Sequence, residues 1–162
     1  MASPTEVTPE RITETLTKKD VIWQQDPDDK NILVPFVNVM FVIQLNSGGI
    51  MSVHGMWRGD LKDLDDQQKA TEYVQDCNSR TLVPKIYLDQ DSSDTWKIHT
   101  ESNIVVPAGL TDQQLEVFLE LSFQSSLYIL NQFEQGHPHL VTWTEDGQEK
   151  DATQAPTTSE EN

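Results

Sequence analysis

The residue types that could do chemistry in this sequence are few, and most are spaced against it. His54 and His99 fall inside strand-like runs, where a histidine is ordinarily a surface or hydrogen-bonded residue. His137-Pro138-His139 could grip a metal only weakly, because no cysteine or second histidine pair stands nearby to complete a tetrahedral set. Asp89, Asp91 and Asp94 look like half of a calcium loop. A loop starting at Asp89 would need glycine at its sixth place and glutamate at its twelfth, and those places hold Asp94 and Thr100. These acids are expected in a solvated hairpin turn. Cys77 lies on the apolar stripe of a helix, where a buried thiol has a raised pKa and is inert. No G-x-S-x-G, no phosphate-binding G-x-x-x-x-G-K-S/T and no G-x-G-x-x-G is present. The reading is therefore a protein that is not an enzyme, with no catalytic residues, no metal and no cofactor.

One tripeptide suggests recognition instead. Arg58-Gly59-Asp60 is a sequence that adhesion receptors read in their ligands. Nothing in the sequence points to export, and Trp57 before it closes a strand, so Gly59 is expected in a turn. Asp60, Asp63, Asp65 and Asp66 then lead into a helix, where acids meet the positive end of the helix dipole. Arg58 is expected to pair with these neighbouring aspartates, and loss of Asp60 to leave the fold unchanged.

The bulk numbers narrow the partners. The 162 residues carry a formal net charge of −16 and are 36% hydrophobic, with a pI near 4.3. That length suits one domain with a sizeable core. Such acidity disfavours nucleic acid and anionic membrane surfaces, and fits a basic partner. The single cysteine excludes an internal disulfide. MASPTEVTPER has no apolar signal-peptide core, and no run approaches the roughly 18 apolar residues of a membrane span. The expectation is a cytoplasmic protein.

These residues must be held by elements that patterning locates. Residues 1–7 are expected to be flexible. Thr8 caps and Pro9 opens a helix that carries Ile12 and Leu16 to about Asp20. Val21-Ile22-Trp23 resembles a short strand. FVNVMFVIQL, residues 36–45, is the strongest strand, with Val37, Val39, Phe41, Ile43 and Leu45 on one face. Asn46-Ser47-Gly48-Gly49 turns it into a second strand over residues 50–57. Ala70, Tyr73, Val74 and Cys77 mark a helix over residues 65–81. Ile86-Tyr87-Leu88 and Trp96-Lys97-Ile98-His99 are two further strands. Thr111-Asp112-Gln113-Gln114 is a capping box, opening a long helix that Gly136 and Pro138 end. Residues 142–162 hold Trp143 and little else to bury, with six acids against Lys150, and are expected to be an acidic disordered tail. The domain therefore spans residues 8–141. The order α-β-β-β-α-β-β-α predicts an α+β fold, an antiparallel sheet with helices packed on it.

If the helices cover only the odd face of residues 36–45, the other face needs a partner. Phe36, Met40, Val42, Ile50 and Met56 are its candidate protein-binding residues. A homodimer or a protein-binding sheet is the expected use.

Several pieces together resemble the YbjN-type family of bacterial sensory transduction regulators. They are the opening Thr8-Pro9-Glu10-Arg11, the hairpin ending in Trp57-Arg58-Gly59, Asn78 near the end of the second helix, Pro84-Lys85 at the next strand, and Thr111-Asp112-Gln113-Gln114-Leu115. The resemblance spans about residues 8–135. One departure is Leu82-Val83, where the family often carries an aromatic residue. The resemblance implies a fold similar to type III secretion chaperones, a curved antiparallel sheet flanked by three helices. It also implies dimerisation and capture of extended partner segments. No catalytic residues come with it, and Trp57, Arg58, Gly59, Asn78, Pro84 and Lys85 are expected to be structural. The leading expectation is a regulatory or chaperone-like protein that binds other proteins. The competing reading is a small-molecule sensor with a pocket between sheet and helices.

Overall fold

The structure, a computed structural model, describes residues 3–150. Thr8 begins α1 (Pro9–Lys18) by accepting the Arg11 N–H, and Ile12 and Leu16 bury its inner face. Next come β1 (Gln24–Gln25), β2 (Ile32–Pro35), β3 (Val39–Leu45) and β4 (Ile50–Trp57). Helix α2 (Leu64–Arg80) leads to β5 (Lys85–Gln90) and β6 (Trp96–Val105), and α3 (Asp112–Gly136) is followed by a short 3-10 turn at Pro138–Leu140. All neighbouring strands are antiparallel, in the order β1-β2-β3-β4-β6-β5. Among the described residues the fold is thus α+β, a six-stranded antiparallel sheet with three α-helices.

The period-2 pattern decides which face is covered. Val39, Phe41 and Ile43 of β3 and Met51, Val53 and Trp57 of β4 are buried on one side. Phe123 of α3 packs on the Phe41 ring at 4.9 Å, and Leu115, Leu119, Ile129, Leu130 and Phe133 complete the helix's buried stripe. Gly55 belongs to this face because a Cβ there would meet the Phe41 ring at 2.8 Å. Thr111 accepts the Gln114 N–H while the Gln114 side chain accepts the Thr111 N–H, so the expected capping box forms.

Four details differ from the patterning. Ile32–Pro35 forms a strand of its own, because Pro35 and the turn at Phe36–Asn38 break the apolar run that begins at residue 32. Residues 36–38 therefore belong to a turn, and Val37 is exposed. The first short strand lies at Gln24–Gln25 rather than at residues 21–23. Strand β6 runs on to Val105, since its later residues alternate between core and solvent. At the N-terminus, Thr5 pairs with Leu110 and Val7 is buried, so residues 5–7 are docked.

The C-terminal end departs most. Residues 142–150 form a packed turn, although they fall within the stretch expected to be disordered. Trp143 is 4% exposed, with its ring 6.1 Å from that of Trp57, and it pairs with Glu149 across the turn. One large aromatic was enough to fold back a polar segment. The remainder of the expected tail, residues 151–162, lies outside the described residues.

Candidate functional site

The sheet face opposite the helices is the site that the fold positions. Cross-strand register places Met40 of β3 beside Met56 of β4, and Val42 beside His54. Leu33 and Pro35 of β2 extend the strip, opposite Val42 and Met40. On its other flank Met56 faces His99 of β6, which in turn faces Tyr87 of β5. The result is an apolar, methionine-bearing strip with an aromatic row beside it. Met40 is 36% exposed, and Val42 and Met56 are partly exposed.

The aromatic row is hydrogen-bonded within itself. His54 Nε2 lies 2.9 Å from His99 Nδ1, with ring planes within 6°, and Tyr87 stacks on His99 at 5.3 Å. One imidazole donates and the other accepts, which requires both to be neutral or one to be singly charged. Burial is the main reason both histidines have lowered pKa values. For His54, Glu101 and Asp89 oppose that shift and Lys85 adds to it. For His99, the His54 and Lys97 charges add to it, while Asp89 and Asp91 oppose it. Burial likewise raises Tyr87, helped by Glu101 and Asp89. Lys85 sits over the Tyr87 ring at 4.7 Å and 3.7 Å from Glu101, closing the row at the edge.

The structure brings together three of the five residues expected on this face. Met40, Val42 and Met56 are contiguous. Ile50 is on the same face but lies at its far end beside Val105, beyond the polar pair Gln44 and Ser52. Phe36 is not on the face at all. It turns inward, with its ring 5.5 Å from Phe41 and 5.7 Å from Phe123, because the turn after Pro35 changes the parity of the chain. Leu33 and Pro35 escaped sequence reasoning because β2 did; the alternation of Ile32 to Pro35 was the available signal. His54 and His99 were read as ordinary strand histidines, and only the register shows that they touch.

The remaining expected positions have structural contacts. Trp57 is fully buried, edge-on to Phe133, and donates to Glu134. A Cβ on Gly59 would come within 2.2 Å of the Trp57 ring, closer than van der Waals contact allows, so glycine is required there. Arg58 does not pair with the neighbouring aspartates. Its guanidinium donates to the Val37 and Gly147 carbonyls and to Glu149, and lies 5.3 Å from the Trp143 ring centre. Asp60 instead holds Lys97 at 2.5 Å. Neither end of the tripeptide is free, and Gly59 is buried, unlike the flexible tip an adhesion receptor reads. Asn78 binds both backbone groups of Ile86, and Pro84 is buried.

Two further hollows adjoin the core. One, of about 680 Å³, is walled by Phe36, Leu127, Val141 and Trp143, with Asn38, Asn131 and Glu134 at its base. The other, of about 380 Å³, lies between α2 and β5. Among the described residues no group of three or more His, Cys, Asp or Glu is placed to hold a metal ion. Asp91 spends its carboxylate on Ser93 and Thr95 within the turn, and Ser93 is the main reason its pKa is lowered. His137 caps the Phe133 carbonyl while His139 turns away to Asp66. Cys77 is buried. No described helix is long and apolar enough to cross a membrane.

Comparison with known proteins adds two findings. A family model, YbjN, described as "Putative bacterial sensory transduction regulator", matches residues 8–135. Among solved structures, "Crystal structure of YbjN, a putative transcription regulator from E. coli" superposes with a TM-score of 0.69 at 16% identity, covering 84% of this chain and 96% of that one. At that identity the likeness concerns the fold alone. A comparison with curated proteins finds no match.

Proposed function

The chain belongs to the YbjN family, matched over residues 8–135, and on that premise we propose that it is a non-catalytic regulatory protein that binds another protein on the open face of its sheet. The observation that carries this reading is the register pairing of Met40 with Met56, flanked by Pro35, Val42 and the His54–His99–Tyr87 row. Methionines adapt to irregular partners, and an aromatic row supplies area at little entropic cost. A chaperone-like action, a homodimer built on this face and a cytoplasmic location belong to the same reading. The acidity of the chain, −16 overall, favours a partner that is basic around an apolar centre.

Strand addition at β5 is the weaker mode. Among the described residues only the outer edge of β5 is long enough, and Asn78 already occupies the backbone of Ile86.

A photo-crosslinking amino acid placed at Val42 tests the reading against one placed at Leu64, which is exposed on α2. In bacterial extract, the Val42 probe should capture a discrete protein, or a second copy of this chain, that the Leu64 probe does not. Equal, diffuse crosslinking from both positions would reject the face.

A further inference from the structure

We propose that the hollow between α2 and β5 binds a small molecule that presents a planar donor–acceptor edge, a carboxamide or a nucleobase. The molecule itself shows what this sheet edge accepts. The Asn78 carboxamide lies against Ile86 with its Nδ2 2.7 Å from the Ile86 carbonyl and its Oδ1 3.1 Å from the Ile86 N. That pairing means the Ile86 backbone groups point away from β6. In an antiparallel ladder the outward residues alternate, so Leu88 also directs its N–H and C=O outward. Among the described residues no side chain or backbone group bonds to them. Leu88 lines the hollow together with Thr71, Val74 and Gln75 of α2 and the Trp96 side chain.

The geometry selects the size of the ligand. An added strand would need the outward groups of Ile86, Leu88 and Gln90 in succession. Ile86 is closed by Asn78, and the Gln90 N–H is taken by Asp89 Oδ1 at 2.8 Å. One rung remains, which fits one planar group and not a peptide strand. The about 380 Å³ of space falls within the range of small-molecule sites. Val74, Ile86 and Trp96 supply an apolar wall for a ring, and Gln75 supplies a second polar contact at the rim. This site opens at the β5 edge and borders the open sheet face at Tyr87, which lines the hollow and also stacks on His99.

The test uses the full chain labelled with 15N, titrated to about 10 mM with nicotinamide and, separately, with 9-methyladenine, whose only N–H hydrogens are those on N6. Their N,N-dimethyl forms, which lack the donor hydrogens, serve as controls. The expected result is a saturable shift of the Leu88 amide and the Trp96 indole signals with at least one parent compound. It should weaken at least fivefold for the dimethyl form. A response to nicotinamide alone assigns a carboxamide, and to 9-methyladenine alone a nucleobase. Thr71→Trp, which fills the hollow from an exposed helix position, should remove the response. If that variant loses its dispersed spectrum, the comparison of parent and dimethyl compounds on the unaltered chain still decides. No saturable shift at Leu88, or equal shifts from parent and dimethyl forms, would overturn the proposal.

Discussion

Trp57 and Glu134, 77 positions apart, are joined by a 2.8 Å hydrogen bond from the indole N–H to Glu134 Oε1. The same oxygen accepts from Asn38 Nδ2 at 2.7 Å, so one carboxylate ties the end of β4 and the β2–β3 turn to α3. Removing it leaves the Trp57 indole N–H unpaired and the Asn38 amide with only its bond to Asn131 Oδ1. Glu134→Ala should therefore cost about 2–3 kcal/mol in urea unfolding, whereas Glu134→Gln keeps an acceptor and should cost less than about 1. Trp57→Ala removes the indole from the core and should cost about 3–5 kcal/mol. Equal stabilities for the Ala and Gln variants at residue 134 would show that the bond is not the anchor.

Asp60 and Lys97 make the second tie. Lys97 is 9% exposed, and its ammonium is held by Asp60 at 2.5 Å and by the carbonyls of Arg58 and Gly59 at 3.3 Å. Asp60→Ala leaves that charge with neutral acceptors only, so the change is not neutral as sequence alone suggested. A loss of about 1–2 kcal/mol is expected, below the value for a fully buried pair because Asp60 is 40% exposed. The double variant Asp60→Ala, Lys97→Met should recover most of it. Failure to recover in a double-mutant cycle would locate the cost elsewhere.

What was legible in the sequence follows the range of the forces involved. Helix ends are local chemistry, so the Thr8 cap and the Thr111–Gln114 box could be read directly. Alternation over residues 39–45 and 50–57 gave the central hairpin and its two faces. The partners of Arg58 and Asp60 could not be read, because Glu149 and Lys97 lie 91 and 37 positions away and nearer acids compete on paper. Phe36 was misplaced because period-2 counting ran through a turn. The packed segment around Trp143 was hidden by its polar composition; its single large aromatic was the only local sign that it had anything to bury.

Protonation should weaken the fold through the row on the open face. His54 and His99 have folded pKa values below the ordinary one, chiefly from burial. Near pH 6.5 the unfolded chain thus binds more protons than the native chain, and stability rises with pH. The penalty is absent well above that pH. It grows as pH falls through the unfolded value and levels off below the folded ones. His54→Gln keeps a polar group beside His99 and removes one of the two titrations. Melting temperature between pH 7.5 and 5.5 should then fall less in His54→Gln than in the parent; identical slopes would refute the coupling.

Asn78 closes part of the β5 edge, and its two bonds to Ile86 replace those of a missing strand. Asn78→Ala should lower stability by about 1–2 kcal/mol, since Ile86 is almost wholly buried and its backbone groups lose their partners. The Ile86 amide should exchange with solvent markedly faster, while amides of β3 and β4 stay protected. Unchanged exchange at Ile86 would mean that another group holds the edge.

The packed end of the described chain gives the last contrast. Trp143 is buried against Trp57, whereas Glu149, 68% exposed, reaches Arg58 from the rim. The burial and the ion pair belong to the same turn but differ in what water already does for them. Trp143→Ala empties a space beside the Trp57 ring and should cost about 3–5 kcal/mol. Glu149→Ala breaks only a solvated pair and should cost less than about 1, with most of that lost at high salt. Because Trp143 also walls the hollow above Glu134, its removal should speed exchange of the Trp57 indole hydrogen as well. If Glu149→Ala proved the more damaging change, the turn would be held by charge and not by its tryptophan.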